Sequence, residues 1–224
     1  MSFIIAIDGP AGSGKTTTAK RVAEILNVIY LDTGAMYRAV AYYVLLKIGD
    51  TLDEEKIKAL LCEIEIKFEN RMNERRILLN KEDISDKIRN EKISQMASRV
   101  STLKSVRDFL VEEQRRISKG TSLVAEGRDI GTVVFPNAQL KFYMDCSIEE
   151  RAKRRSLEYS EKNVDSDLED IKRQIAVRDE RDKTRAHAPL KMAEDAILID
   201  TTRLSKEEQI KFVVSQAQKI KDCV

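Results

Sequence analysis

At 224 residues the chain suits one core with excursions, and a chain of this size buries roughly 70% of its unfolded surface without needing disulfides or metal to fold. Its 42% hydrophobic and 35% charged residues exclude both a membrane protein and a disordered tail. With 40 Lys and Arg against 38 Asp and Glu, the net charge of +2 is too balanced for a dedicated nucleic-acid binder, so any anion site must come from locally clustered arginines.

FIIAID at 3–8 reads as the first buried strand. The stripe Ala19, Val22, Ala23, Leu26 then has the i, i+3, i+4, i+7 spacing of a helix packed on a sheet. VIYL at 28–31 is a second strand, and Thr51 to Glu54 reads as a capping box opening a helix. In EIEIKFE at 63–69, apolar residues alternate with charges, the period of a half-exposed strand. The polar turn NRMNER and the strand ILL at 77–79 follow, so a small antiparallel sheet is expected as an insertion at about 63–88. SLVAE at 122–126, LKFYMD at 140–145 and DAILID at 195–200 complete five buried strands. Capping boxes at Ser147–Glu150 and Ser205–Glu208 open two more helices, the last carrying the stripe Ile210, Val213, Val214, Ala217. Strands alternating with helices imply an α/β fold with a parallel sheet. Asp8, Glu126 and Asp145 end strands, where they would reach the loop edge of that sheet.

Cys62, Cys146 and Cys223 match no metal-ligand spacing and read as thiols in a reducing compartment. His187 is the only histidine, which excludes a histidine-based triad or metal cluster. The apolar start lacks a basic lead-in, so it is not read as a signal peptide, and no stretch reaches transmembrane length. A soluble cytoplasmic protein is expected, with neither membrane nor nucleic acid as partner.

GPAGSGKTT at 9–17, between the first strand and the first helix, satisfies G-x-x-x-x-G-K-[ST] with Gly9, Gly14, Lys15 and Thr16. Gly9, Pro10, Ala11, Gly12, Ser13, Gly14, Lys15, Thr16 and Thr17 would cradle the phosphates of ATP with backbone N–H groups and the positive end of the helix. Lys15, expected to be exposed at the helix start, would bridge the outer phosphates, and the Thr16 hydroxyl would ligate Mg²⁺. Asn80-Lys81-Glu82-Asp83 matches the guanine-reading N-K-x-D pattern. No glycine has an aspartate three positions earlier, so the D-x-x-G switch of a GTPase is missing and a polar turn is the better account.

DTGAMYR at 32–38, SRVSTLKSVR at 98–107, EGRDIGTVVFP at 126–136 and RDERDKTRAHAP at 178–189, in that order after the phosphate loop, resemble the bacterial type of cytidylate kinase over nearly the whole chain. The resemblance implies a P-loop nucleoside monophosphate kinase fold, with a parallel core, an inserted antiparallel sheet and a helical lid. It also implies transfer of the γ-phosphoryl of ATP to CMP or dCMP. The expected division is a core of 1–58, 93–150 and 191–224, a monophosphate-binding insertion at 59–92, and a lid with the acceptor-binding helix at 151–190.

By the same resemblance, Arg38, Arg107, Arg128 and Arg185 hold the acceptor phosphate, a task suited to arginine's planar, permanently charged fork. Asp129 and Thr33, with Ser98 nearby, match the base-reading positions; a carboxylate accepts from cytosine's amino group and repels uracil's carbonyl. Arg178 and Asp182 match the sugar-contacting positions; four residues apart on a helix, they share a face, and the alternative is a salt bridge on an exposed helix. RAKRR at 151–155 is either a basic helix face or a lid segment in which Arg151 and Arg155 meet ATP. Lys15, Arg128, Arg185 and Arg155 would act in catalysis, and Glu126 would hold Mg²⁺ through water. A monomer is expected, open when empty because its acceptor arginines repel one another. The alternatives are a kinase of the same fold acting on UMP or a non-nucleotide acceptor, and a non-enzymatic nucleotide-binding switch.

Overall fold

The computed structural model describes residues 2–71, 74–161 and 166–221; Cys223 and the middle of the NRMNER turn lie outside them. The chain begins β1 (Ile4–Asp8), α1 (Lys15–Leu26), β2 (Ile29–Asp32), α2 (Thr33–Ile48), α3 (Glu54–Leu61). It continues β3 (Ile66–Arg71), β4 (Glu74–Leu79), β5 (Glu82–Asp83), α4 (Glu91–Val100), α5 (Lys104–Ser118). The last third holds β6 (Leu123–Gly127), a π-helical turn (Ile130–Val134), β7 (Leu140–Asp145), α6 (Ile148–Glu161), α7 (Leu168–Thr184), β8 (Ile197–Asp200) and α8 (Lys206–Lys221). Two compact units result, 1–32 with 117–224, and 33–116.

The first unit is built on a five-stranded sheet of order β2-β6-β1-β7-β8, in which every pairing is parallel. The stripe read on α1 is buried together with Val213 and Ala217 of α8 against Ile5, Ile7, Val124, Phe142, Met144 and Ile199 of the strands. In strand order the chain moves from β1 toward the β2 flank of the sheet, and from β6 toward the β7 flank. Such a reversal opens a crevice at the carboxyl ends of the strands. β1 and β6 end there side by side, Asp8 paired with Gly127, so the two loops that follow start as neighbours.

In the second unit α2 packs on α3 and α4, and β3, β4 and β5 form the small antiparallel sheet. The alternation read in EIEIKFE holds: Ile64 and Ile66 are buried, Glu65 and Lys67 exposed. The strand itself starts only at Ile66, because the Ile64 N–H is spent on the Leu61 carbonyl closing α3. The short β5 consists of two exposed acids and carries no apolar alternation. Asn80 and Lys81 form the two-residue turn before it, both at positive φ (49° and 72°), the geometry of a hairpin turn that suits a right-twisted strand pair. The N-K-x-D match is thus a turn, with the Asn80 side chain accepting from the Glu65 N–H.

The capping boxes fared unequally. Ser205 and Glu208 form the full reciprocal pair, Ser205 N–H to Glu208 at 2.8 Å and Glu208 N–H to Ser205 at 3.2 Å. Ser147 caps the Glu150 N–H, but the Glu150 carboxylate turns to Arg154. The Thr51 box does not form: Asp53 caps α3 by accepting from the Lys56 N–H, because helical backbone starts three residues later than Thr51.

Candidate active site

Residues 9–14 wrap the end of β1 onto the start of α1. Gly9 has no alternative: a Cβ there would lie 2.0 Å from the Met144 carbonyl oxygen, and its φ of 147° suits glycine alone. Gly14 caps α1 in the left-handed region at φ 92°. Lys15 is not exposed, as expected at a helix start, but 4% accessible. The loop folds over its ammonium, which donates to the Pro10 carbonyl at 2.6 Å and to the Ser13 hydroxyl at 3.3 Å. Burial lowers its pKa, and the Arg128 charge adds to this, against the pull of Glu126 and Asp8.

Thr16 and Glu126 come together across 110 residues of sequence, the hydroxyl donating to one carboxylate oxygen at 3.0 Å. The Tyr30 hydroxyl donates to the other at 2.6 Å. Burial pushes the Glu126 carboxyl up, and the charge of Asp32 pushes it further, against Lys15 and the two hydroxyl bonds. A hydroxyl beside two carboxylates is a hard oxygen donor set, which suits Mg²⁺ and relieves the crowding of negative charge. Among the described residues no three His, Cys, Asp or Glu gather as metal ligands.

The loop after β6 carries Arg128 and Asp129. Arg128 Nε donates to Asp182 on α7 at 2.8 Å, and Arg185 lies 3.4 Å from Asp129. Each of these two guanidinium groups therefore has a carboxylate partner within its own unit. Burial raises the Asp182 pKa, but the charges of Arg128 and Arg178 outweigh it and hold the carboxyl below the usual range. Arg178 stands one turn before Asp182 on α7, as read, but Asp182 is engaged by Arg128. Asp8, recognised in the sequence only as a strand-ending acid, accepts the N–H groups of Ile130 and Gly131 and so ties this loop to β1.

Beside the phosphate loop lies a cavity of about 540 Å³, lined by Lys15, Thr16, Arg154, Arg155, Leu157 and Gln209 among others. Of the arginines read in RAKRR, Arg151 is buried and held by the Cys146 and Ala11 carbonyls and by Asp179 at 2.6 Å. Arg155 lies along Tyr159, its guanidinium 5.2 Å from the ring centre. Arg154, part of the same run but not singled out by spacing as Arg151 and Arg155 are, makes the closest contact to the phosphate loop's brace, Thr201. Arg154 donates to the Thr201 carbonyl at 2.7 Å and reaches the Gly12 carbonyl of the phosphate loop at 3.4 Å. Thr201 itself braces that loop, donating to the Ser13 carbonyl at 2.9 Å.

Thr33, Arg38, Ser98 and Arg107 lie on the second unit. Thr33 opens α2 and Arg38 stands on the same helix, while Ser98 is buried near the end of α4. Arg107 is buried on α5, its guanidinium 5.8 Å from the Tyr37 ring centre and 3.3 Å from the Ser101 carbonyl.

A phosphate loop, a carboxylate–hydroxyl pair and arginines ordered by acids form a frame for phosphoryl chemistry. The family model for cytidylate kinase matches residues 5–219. The chain belongs to the cytidylate kinase family. It is 46% identical over 210 residues to a cytidylate kinase of Halalkalibacterium halodurans, covering 94% of this chain and 95% of the relative. With a cytidylate kinase of Streptococcus agalactiae serotype V it shares 45% identity over 222 residues, 99% of this chain and 98% of the relative. A crystal structure of an uncharacterized protein from Eubacterium ventriosum superposes with a TM-score of 0.56 at 12% identity, covering 97% of this chain and 99% of that one. This last likeness speaks for the fold alone. No helix among the described residues is long and apolar enough to cross a membrane.

Proposed function

We propose that this chain transfers the γ-phosphoryl group of ATP to CMP, and also to dCMP, giving ADP and the nucleoside diphosphate. Family membership supplies the reaction. The observation that carries it to these residues is the pairing of Asp8 with Gly127, which starts the phosphate loop and the Arg128–Asp129 loop side by side at one sheet edge.

On the donor side, residues 9–17 hold the triphosphate by backbone N–H groups, and Lys15 exchanges the Pro10 carbonyl for phosphate oxygens. Arg154 and Arg155 line the cavity where the donor would lie, and Arg151 anchors the lid helix to the phosphate loop and to α7. Thr16 and Glu126 would hold Mg²⁺, Glu126 by way of water, and the charge neutralisation at the phosphates would be the chemistry supplied there. On the acceptor side Arg38, Arg107, Arg128 and Arg185 hold the monophosphate, Thr33, Ser98 and Asp129 read the base, and Arg178 and Asp182 meet the sugar. Transfer is in line, by positioning and electrostatics, with no covalent intermediate. Arginines already oriented by Asp182 and Asp129 need little reorganisation when charge spreads over the transferred group. Residues 59–92 serve as the monophosphate-binding insertion and 151–190 as lid and acceptor helix, within a monomer.

The test is ADP release from ATP with CMP, dCMP, UMP, AMP and GMP each as acceptor. Turnover with CMP and dCMP well above the others supports the assignment. Preference for UMP would assign the chain to another acceptor, and binding of ATP without acceptor-dependent turnover would favour a switch.

A further inference from the structure

We propose that Tyr30 is a positioning residue that fixes the Glu126 carboxylate, beside Thr16, toward the divalent cation accompanying the donor triphosphate. This rests on the reading of Thr16 and Glu126 as the cation-side groups. The terminal torsion of a glutamate is broad and nearly two-fold, so one hydrogen bond to one oxygen leaves the carboxylate free to swivel. Glu126 has a hydroxyl on each oxygen: Thr16 on one at 3.0 Å, Tyr30 on the other at 2.6 Å. The two donors come from different elements, the first turn of α1 and the strand β2, and together they set the plane of the group.

Tyr30 is suited to this by its own anchoring. In the parallel register Asp32 pairs with Glu126 and Tyr30 with Val124, so Tyr30 stands one two-residue step behind Glu126. That step is about 6.6 Å along a strand, within reach of a tyrosine side chain. The ring packs against the core cluster that contains Val124, Ala19 and Val22, which holds it in place while the hydroxyl extends to the sheet edge. A phenylalanine would serve the packing equally; the hydroxyl is what reaches Glu126. Partners of this kind behind a metal-side group ordinarily matter by 10–100-fold in affinity.

The experiment compares the full chain with Tyr30→Phe and Glu126→Gln. Mn²⁺ is titrated by electron paramagnetic resonance in the presence of a non-hydrolysable ATP analogue, and the Mg²⁺ concentration for half-maximal turnover is measured alongside. Tyr30→Phe is expected to weaken Mn²⁺ binding about tenfold and to raise the Mg²⁺ requirement correspondingly, with KM for CMP at saturating Mg²⁺ unchanged. Mn²⁺ affinity within twofold of wild type in Tyr30→Phe, while Glu126→Gln is weakened, would overturn the role of Tyr30 and leave the cation site standing. Wild-type affinity in Glu126→Gln would instead remove Glu126 from the cation, and the inference with it. A change in KM for CMP as large as the change in Mn²⁺ affinity would mark Tyr30 as a general structural support and refute the specific role.

Discussion

The carboxylate of Asp8 accepts the backbone N–H of Gly131 at 2.7 Å, across 123 residues of sequence, while its other oxygen accepts from Ile130 at 2.8 Å. One buried acid at the end of β1 thereby shapes the loop that carries Arg128 and Asp129. A Cβ at Gly131 would press on the Lys141 side chain at 3.1 Å, so that side chain would have to give by a few tenths of an ångström, while the Asp8 carboxylate at 3.5 Å would be in ordinary contact.

Burial raises the Asp8 pKa to about 7; Asp129 adds to the rise, and the two N–H bonds and Lys15 oppose it. A pKa raised in the folded state means that the fold binds this proton more tightly than the unfolded chain does. The stability it contributes is complete below the unfolded value of 3.8 and is lost as pH rises through about 7. Asp8→Asn removes this titration. Its stability relative to wild type should therefore increase by about 1–3 kcal/mol between pH 5 and pH 8. Denaturant melts of both proteins across that range check this, and a constant difference would contradict the elevated pKa.

Lys15→Met keeps the unbranched stem, one atom shorter, and removes the charge. Burial already disfavours the ammonium, so the fold should be no less stable, while turnover falls at least about 100-fold for want of a cation at the phosphates. Near-normal turnover in the variant would remove Lys15 from the donor site.

Arg151 and Arg154 should part company. Arg151→Ala strips a buried partner from Asp179 and is expected to cost about 3–5 kcal/mol in stability. Arg154, bonded to Thr201 and Gly12 at the cavity wall, should lose kcat/KM for ATP by about tenfold or more as Arg154→Ala with a much smaller change in melting temperature. Equal destabilisation by the two substitutions would make Arg154 a structural brace.

Asp129→Asn tests which base is read. A carboxylate only accepts, whereas an amide also donates to a uracil carbonyl, so the CMP-to-UMP ratio of kcat/KM should fall at least about tenfold. The contact with Arg185 defines the opposite outcome. If Asp129 merely holds that arginine, both substrates weaken together and the ratio stays where it was.

Local pattern reached far into this protein. Five parallel strands are written in short apolar runs, the inserted strand in a period of two, the α1 and α8 stripes in a period of 3.6 and the phosphate loop in glycines at fixed spacing, all properties of neighbouring residues. The Thr51 box failed within that same local register, because Asp53, two residues on, is a competing cap nearer the first helical turn.

Asp8, Tyr30, Arg154 and Thr201 had no such signal. Each earns its place through a partner between 47 and 188 residues away, and in sequence they are a strand-ending acid, a strand tyrosine, one arginine of a basic run and a loop threonine. The burial of Lys15 is of the same kind, since a lysine at a helix start is exposed until a loop folds back over it. Chain-local chemistry sets which elements form and where a phosphate loop lies. Which hydroxyl faces which carboxylate depends on the parallel register of β2, β6 and β1, and that register exists only once the sheet has assembled.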